Sequence, residues 1–279
     1  MSERQETAIR LAVIDLNNGA PNQGLRGIQD IVRTYRDAQR LDLQYRVFDL
    51  RQKNEVPDLS YDIYIASGGP GSPFDGVGTQ WEEKLFNLID EVVLFNLRHE
   101  QKKSMFFICH SFQLACRKFG AGEVTRRRSN AFGIFPVNMT AEGATESCFD
   151  GLDEPFFVAD SRDWQVLGSA GHMAGRNMSI LALEKERPHI NLERCIMAMR
   201  FSPEIMGTQF HPEADPAGMK MYLLQDEKRS SVIAGHGPEK YEDMLSSLDD
   251  PAKLLRTRQT ILPRFLDRAV AALRQTQLV

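Results

Sequence analysis

Disulfide and metal-site spacings are missing from this 279-residue chain: its four cysteines, Cys109, Cys116, Cys148 and Cys195, form neither close pairs nor a metal-knuckle pattern. In so long a chain this excludes a disulfide scaffold and points to reduced thiols in a cytoplasmic setting. The opening residues, Met1-Ser-Glu-Arg-Gln-Glu6, lack the apolar core of a signal peptide. No apolar run approaches the ~20 residues needed to cross a bilayer, which sets a membrane role aside. Strong charge of either sign is absent too. A formal net charge of −4 leaves no electrostatic footprint for nucleic acid. Arg126-Arg127-Arg128 is a short basic run, read as a solvated loop, with an anionic substrate site as the alternative. His99, His172 and His189 sit in polar contexts without metal-ligand spacing, so no metal is expected. His236-Gly-Pro-Glu239 reads as a turn. No internal repeat or low-complexity tract interrupts the chain.

What is present is an ordinary globular balance. A hydrophobic share of 42% and a charged share of 26% fit a chain long enough to bury a full core. Ile9–Leu16 is a nearly continuous apolar run, as in a strand buried on both faces. Helical spacing follows through Ile28, Ile31, Val32 and Tyr35. Strands are expected at Tyr45–Leu50, Tyr61–Ala66 and Met105–Ile108, with a helix from Trp81 to Arg98 between the last two. That rhythm predicts an α/β fold with a parallel sheet covered by helices, whose ligands sit at the carboxyl ends of the strands. The middle is more β-like, with strands expected at Phe132–Met139, Glu154–Ala159, Ser179–Glu184, Cys195–Phe201 and Ile205–Phe210. Beyond Asp215-Pro216 the pattern turns helical and amphipathic, over Met219–Glu227, Glu239–Ser247 and Pro251–Leu273. A division into residues 1–215 and a helical extension, 216–279, is therefore expected.

The chemistry concentrates at strand ends. The run Met105–Ile108 ends at Cys109, and a helical pattern through Phe112, Leu114 and Ala115 starts at once. Such an elbow lifts a side chain out at the sheet's edge and aims free N–H groups and a positive dipole end at it, which favours thiolate. A second strand, ending at Phe210, delivers His211-Pro-Glu213. One residue separates His211 from Glu213, so an extended segment turns both to the same face. Nucleophile, base and orienting carboxylate are thus on hand for thiol-based acyl chemistry. Ser67-Gly-Gly-Pro-Gly-Ser-Pro73 follows the third strand. As a phosphate loop it lacks the Lys-Ser/Thr of the Walker pattern. It echoes the loop of ATP pyrophosphatases, but Gly71 stands where their aspartate should be. Backbone donors for an oxyanion on Cys109 are its best reading, from Gly68 and Gly69 together with the N–H of His110.

Gly-Gly-Pro-Gly-Ser-Pro, a cysteine elbow with Gln113 four residues on, and Gly-x-Gln-Phe-His-Pro-Glu resemble, in this order, the class I (triad) glutamine amidotransferases over about residues 9–215. The amidotransferase domain of GMP synthase is the form it looks most like. Phe132-Gly-Ile-Phe-Pro-Val resembles the segment after the elbow helix, and Cys148-Phe-Asp-Gly-Leu through Ser161-Arg-Asp-Trp-Gln-Val166 the substrate-side loop. The resemblance implies a doubly wound three-layer sandwich with a mostly parallel central sheet. It makes Cys109 the nucleophile, His211 the base and acid, and Glu213 its orienting group. Gly69 and His110 would supply oxyanion donors, and Gln113 would shape the glutamine pocket. The implied reaction attacks the glutamine side-chain amide, releases ammonia and hydrolyses a glutamyl thioester without metal or cofactor.

The family's elbow usually carries glycine two residues before and after the cysteine; here Phe107 and Ser111 stand there. Ser111 fits, whereas Phe107 is expected to narrow the pocket or shift the turn. No synthetase is read in the residues after the matching region, so ammonia would need a separate partner chain, or none would be used. Relatives on this scaffold that cut γ-glutamyl peptides, homoserine-type acyltransferases and a degenerate regulatory subunit are the rival readings. The helical tail is read as packed on the sheet domain, with a lid, a homodimer contact or a synthetase-docking face as alternatives.

Overall fold

The computed structural model describes residues 8–20, 23–168, 177–189 and 191–276, and His172 lies outside them. Its strands are β1 (Ile9–Asp15), β2 (Leu43–Asp49), β3 (Ile63–Ala66), β4 (Ser104–Ile108), β5 (Glu123–Met139), β6 (Phe156–Leu167), β7 (Ser179–Glu184), β8 (Ile196–Ser202) and β9 (Ile205–Thr208). Its helices are α1 (Gln23–Gln39), α2 (Leu50–Lys53), α3 (Gln80–Arg98), α4 (His110–Phe119), α5 (Pro216–Leu223), α6 (Asp226–His236), α7 (Pro238–Asp249) and α8 (Arg256–Thr276). One nine-stranded sheet runs β2-β1-β3-β4-β9-β8-β7-β5-β6. The pairings from β2 to β9 are parallel, and those from β9 to β6 are antiparallel.

Alternation along the parallel strands sorts the core into two layers. Leu11, Val13, Ile65 and Phe106 face α1 and α8. Ala12, Ile14, Tyr64 and Phe107 face α3 and α4. Both faces are covered, which is why these strands read as continuous apolar runs. Helix α8 belongs to the first layer: Phe265 packs edge-on against Phe106 at 5.1 Å, and Tyr35 Oη on α1 donates to Asp267 Oδ1 at 2.8 Å. Among the described residues no helix is long and apolar enough to cross a membrane.

The structure departs from expectation mainly in the antiparallel half. Arg126–Arg128 lie inside β5 rather than in a solvated loop. The Arg127 side chain is 8% exposed and meets Glu184 Oε1 at 2.9 Å, and it also reaches Cys195 Sγ at 3.0 Å. The half-buried Glu184 carboxylate on β7 neutralises the arginine at the middle of the run. The C-terminal helices break where the chain turns, at Leu224-Gln225 and again at Gly237. A wide helical turn over Pro251–Leu255 precedes α8.

Candidate active site

Strand order builds the site. Because β4 lies between β3 and β9, Cys109 at its carboxyl end has the Ser67–Pro73 loop on one side and Gln209–Glu213 on the other. Cys109 is 6% exposed and takes φ 50°, ψ −101°, a backbone state that costs a non-glycine residue on the order of 1–3 kcal/mol and persists only where the surroundings hold it. They do so here. Cys109 N donates to Thr208 O at 2.8 Å and Gln113 N donates to Cys109 O at 3.0 Å. Ser111 Oγ accepts from Ile108 N and donates to Ala66 O, both at 2.8 Å, tying β3 to β4 under the elbow.

His211 and Glu213 share one face, as their spacing predicts, and His211 Nδ1 meets Glu213 Oε1 at 2.7 Å. The carboxylate is 1% exposed, the imidazole side chain 23%. Burial pulls the His211 pKa down, but Glu213 and a hydrogen bond with Cys109 outweigh it and raise the imidazole well above 6.5. Glu213 and Cys109 thus both favour the charged form of the imidazole. The Glu213 carbonyl accepts from Arg258 on α8, so the last helix anchors the segment that carries the acid.

Gly68 and Gly69 are required by close approach. A Cβ on Gly68 would lie 2.8 Å from His211 Cε1, and one on Gly69 would lie 2.3 Å from Leu16 O. Their loop is pinned by Arg51, whose Nη1 donates to Pro70 O at 2.6 Å, and by Ser67 Oγ, which accepts from Leu16 N at 2.9 Å. Gln113 turns into the site: its Nε2 donates to Gln209 Oε1 at 3.1 Å, and Gln209 Nε2 lies 3.8 Å from Cys109 Sγ. Gln209 was not among the expected site residues. Its signal is the period-two series Gln209, His211, Glu213, which places all three on one face.

Phe107 does not narrow the site. Its ring points to the opposite layer and packs edge-on against Phe201 at 6.2 Å. Space for it comes from its partner across the strand pair, Gly207. A Cβ on Gly207 would lie 2.8 Å from Phe107 O and 2.9 Å from Phe112 Cδ2. Gly207→Ala is therefore expected to destabilise the protein by about 1–3 kcal/mol, read as a lower denaturant midpoint at constant slope.

The His110 side chain is no second base. It is 2% exposed, and its Nε2 has no hydrogen-bond partner among the described residues. Burial first, then Arg51 and Arg117, push its pKa from 6.5 to about 4. Between pH 6.5 and about 4 the unfolded chain binds this proton and the native chain does not, so stability falls as the pH drops through that window. At full extent the loss is about 3 kcal/mol, from ~1.4 kcal/mol per pH unit. His110→Gln is expected to flatten that part of the stability–pH curve, measured by denaturation at pH 7 and pH 4.5.

A thiol on a strand-to-helix elbow, a histidine–carboxylate pair and a glycine loop meet at one sheet edge of an α/β scaffold. Comparison with known families carries this further. The family model described as glutamine amidotransferase class-I matches residues 29–229. The chain belongs to that family. A glutamine amidotransferase from Thermotoga maritima is similar in fold, at TM-score 0.68 and 16% identity over 95% of this chain and 99% of that one. A glutamine amido transferase from Methylobacillus flagellatus gives 0.63 and 13% over 94% and 95%. A putative GMP synthase protein from Thermoplasma acidophilum gives 0.52 and 16% over 75% and 86%. No curated protein matches the sequence.

Proposed function

We propose that this protein hydrolyses the side-chain amide of glutamine, or of a related γ-glutamyl amide, through a thioester on Cys109. One observation carries the reading: Cys109, the His211–Glu213 pair at 2.7 Å and the Gly68-Gly69 loop meet at the ends of three adjacent strands. Cys109 Sγ attacks the amide carbon, and the carbonyl electron pair moves onto oxygen. The N–H groups of Gly69 and His110 receive that oxyanion. As the C–N bond breaks, the His211 imidazolium gives its proton to the departing nitrogen. Water then attacks the thioester, His211 takes its proton, and the carboxylate leaves as the thiol is restored. Glu213 keeps His211 oriented and charged, and Gln113 with Gln209 bounds the acyl side.

With glutamine as substrate the product nitrogen is ammonia, which would pass to a separate synthetase chain. The division at residues 215–216 belongs to the same proposal: the chemistry lies before it, and the helices after it close the site. The test is to incubate the protein with 6-diazo-5-oxo-norleucine, a glutamine mimic that alkylates such thiols, and weigh it intact. A single adduct mapping to Cys109 is expected. No adduct, with iodoacetamide reacting no faster at Cys109 than at Cys116, Cys148 or Cys195, would overturn the reading.

A further inference from the structure

A cavity of about 580 Å³ opens on the His211 side of the triad, within the range of ~300–1,000 Å³ usual for small-molecule sites. Its lining includes His211 and Glu213 together with Met219, Tyr222 and Leu223 from α5 and Met244 from α7. Cys109 is not part of its lining, so the acyl half of a substrate lies elsewhere. The charged groups in its lining are already paired: Asp160 with Arg162 at 2.8 Å, Asp215 with Arg26 at 2.8 Å and Lys228 with Glu227 at 3.7 Å. An apolar chamber with neutralised charges favours an uncharged, apolar occupant.

Chemistry decides which part of the substrate comes here. His211 must protonate the departing nitrogen, so whatever that nitrogen carries extends past the imidazole, away from Cys109. Ammonia is about the size of a water, whose share of liquid volume is ~30 Å³. It leaves such a chamber almost empty. We propose that the preferred substrate is an N-substituted γ-glutamyl amide whose amine carries an aliphatic or aromatic group, held by Met219, Tyr222, Leu223 and Met244. This rests on the Cys109 hydrolase reading and names its substrate class. The reaction balances as before: the primary amine departs with the His211 proton, and water releases glutamate from the thioester.

The experiment compares kcat/KM, by glutamate release, for L-glutamine, γ-glutamyl-n-butylamide, γ-glutamyl-benzylamide and the cationic γ-glutamyl-aminoethylamide. The butyl and benzyl amides are expected to exceed both others by about tenfold or more, since one methylene in an apolar pocket is worth ~10–200-fold. Met219→Trp, which fills the chamber, is expected to lower the butylamide-to-glutamine ratio by about tenfold. Glutamine cleaved as well as the butylamide, with Cys109 labelled by 6-diazo-5-oxo-norleucine, would overturn the inference and leave the hydrolase reading standing. Labelling at Cys109 without cleavage of any amide would overturn it too. Cys109→Ala cleaving all four amides at the wild-type rate would instead remove the hydrolase reading itself. Should Met219→Trp not fold, the wild-type ratios alone decide.

Discussion

Cys109→Ala is expected to lose amide hydrolysis by on the order of 10⁴–10⁶-fold while the protein stays folded. Two features make the effect this large. In the proposed reaction the Cys109 sulfur is the only protein atom that forms a bond to the substrate, so its removal leaves catalysis to the oxyanion donors and binding alone, a residue of ~10³–10⁴ over water. Folding, by contrast, depends little on sulfur here. The elbow is held by backbone bonds to Thr208 and Gln113 and by the Ser111 hydroxyl, none of which involves Sγ. Circular dichroism and a thermal midpoint within a few degrees of wild type, with no γ-glutamyl hydroxamate formed when hydroxylamine is added, would be the expected pattern. A variant that still yields hydroxamate would mean that another group carries the acyl intermediate.

Much of this arrangement was legible in the sequence because its determinants are local. Parallel strands covered on both faces are short apolar runs, and each proposed site residue follows one closely: Ser67–Gly69 after Ala66, Cys109 after Ile108, His211 and Glu213 within five residues of Thr208 at the end of β9. What escaped was non-local. Arg127 sits in a strand because Glu184, distant in sequence, neutralises it; composition sees only three arginines in a row. Phe107 looked like an obstruction because the elbow alone suggests a small residue there. The missing space is supplied from the neighbouring strand by Gly207, a trade of volume between two chain segments that no single motif displays. The C-terminal helices were visible as amphipathic segments. Amphipathicity says that a helix packs, not against what, so neither Arg258 on the Glu213 carbonyl nor Met219 and Met244 on the cavity wall could be read beforehand.

Glu213→Gln is the second large effect, expected to cut kcat by about 10³–10⁴-fold and to reshape the pH profile. The substitution keeps the shape of the side chain and removes its charge. With the carboxylate present, the His211 imidazolium is stabilised well above 6.5 despite its burial. Without it, burial is opposed only by the sulfur, and the proton is lost at lower pH. The state that can protonate the leaving nitrogen then disappears earlier on the alkaline side, so the alkaline limb of kcat/KM moves down. A purely structural role for Glu213 would lower activity uniformly and leave that limb in place. The fold should tolerate the change: Glu213 Oε2 already has no partner among the described residues, so an amide nitrogen there replaces one unpartnered polar atom by another. Cys109 labelling by iodoacetamide, followed from pH 5 to 9 in wild type and Glu213→Gln, separates the cases. A loss of rapid labelling at lower pH in the variant would tie Glu213 to the charge on His211, and identical profiles would confine it to holding the turn.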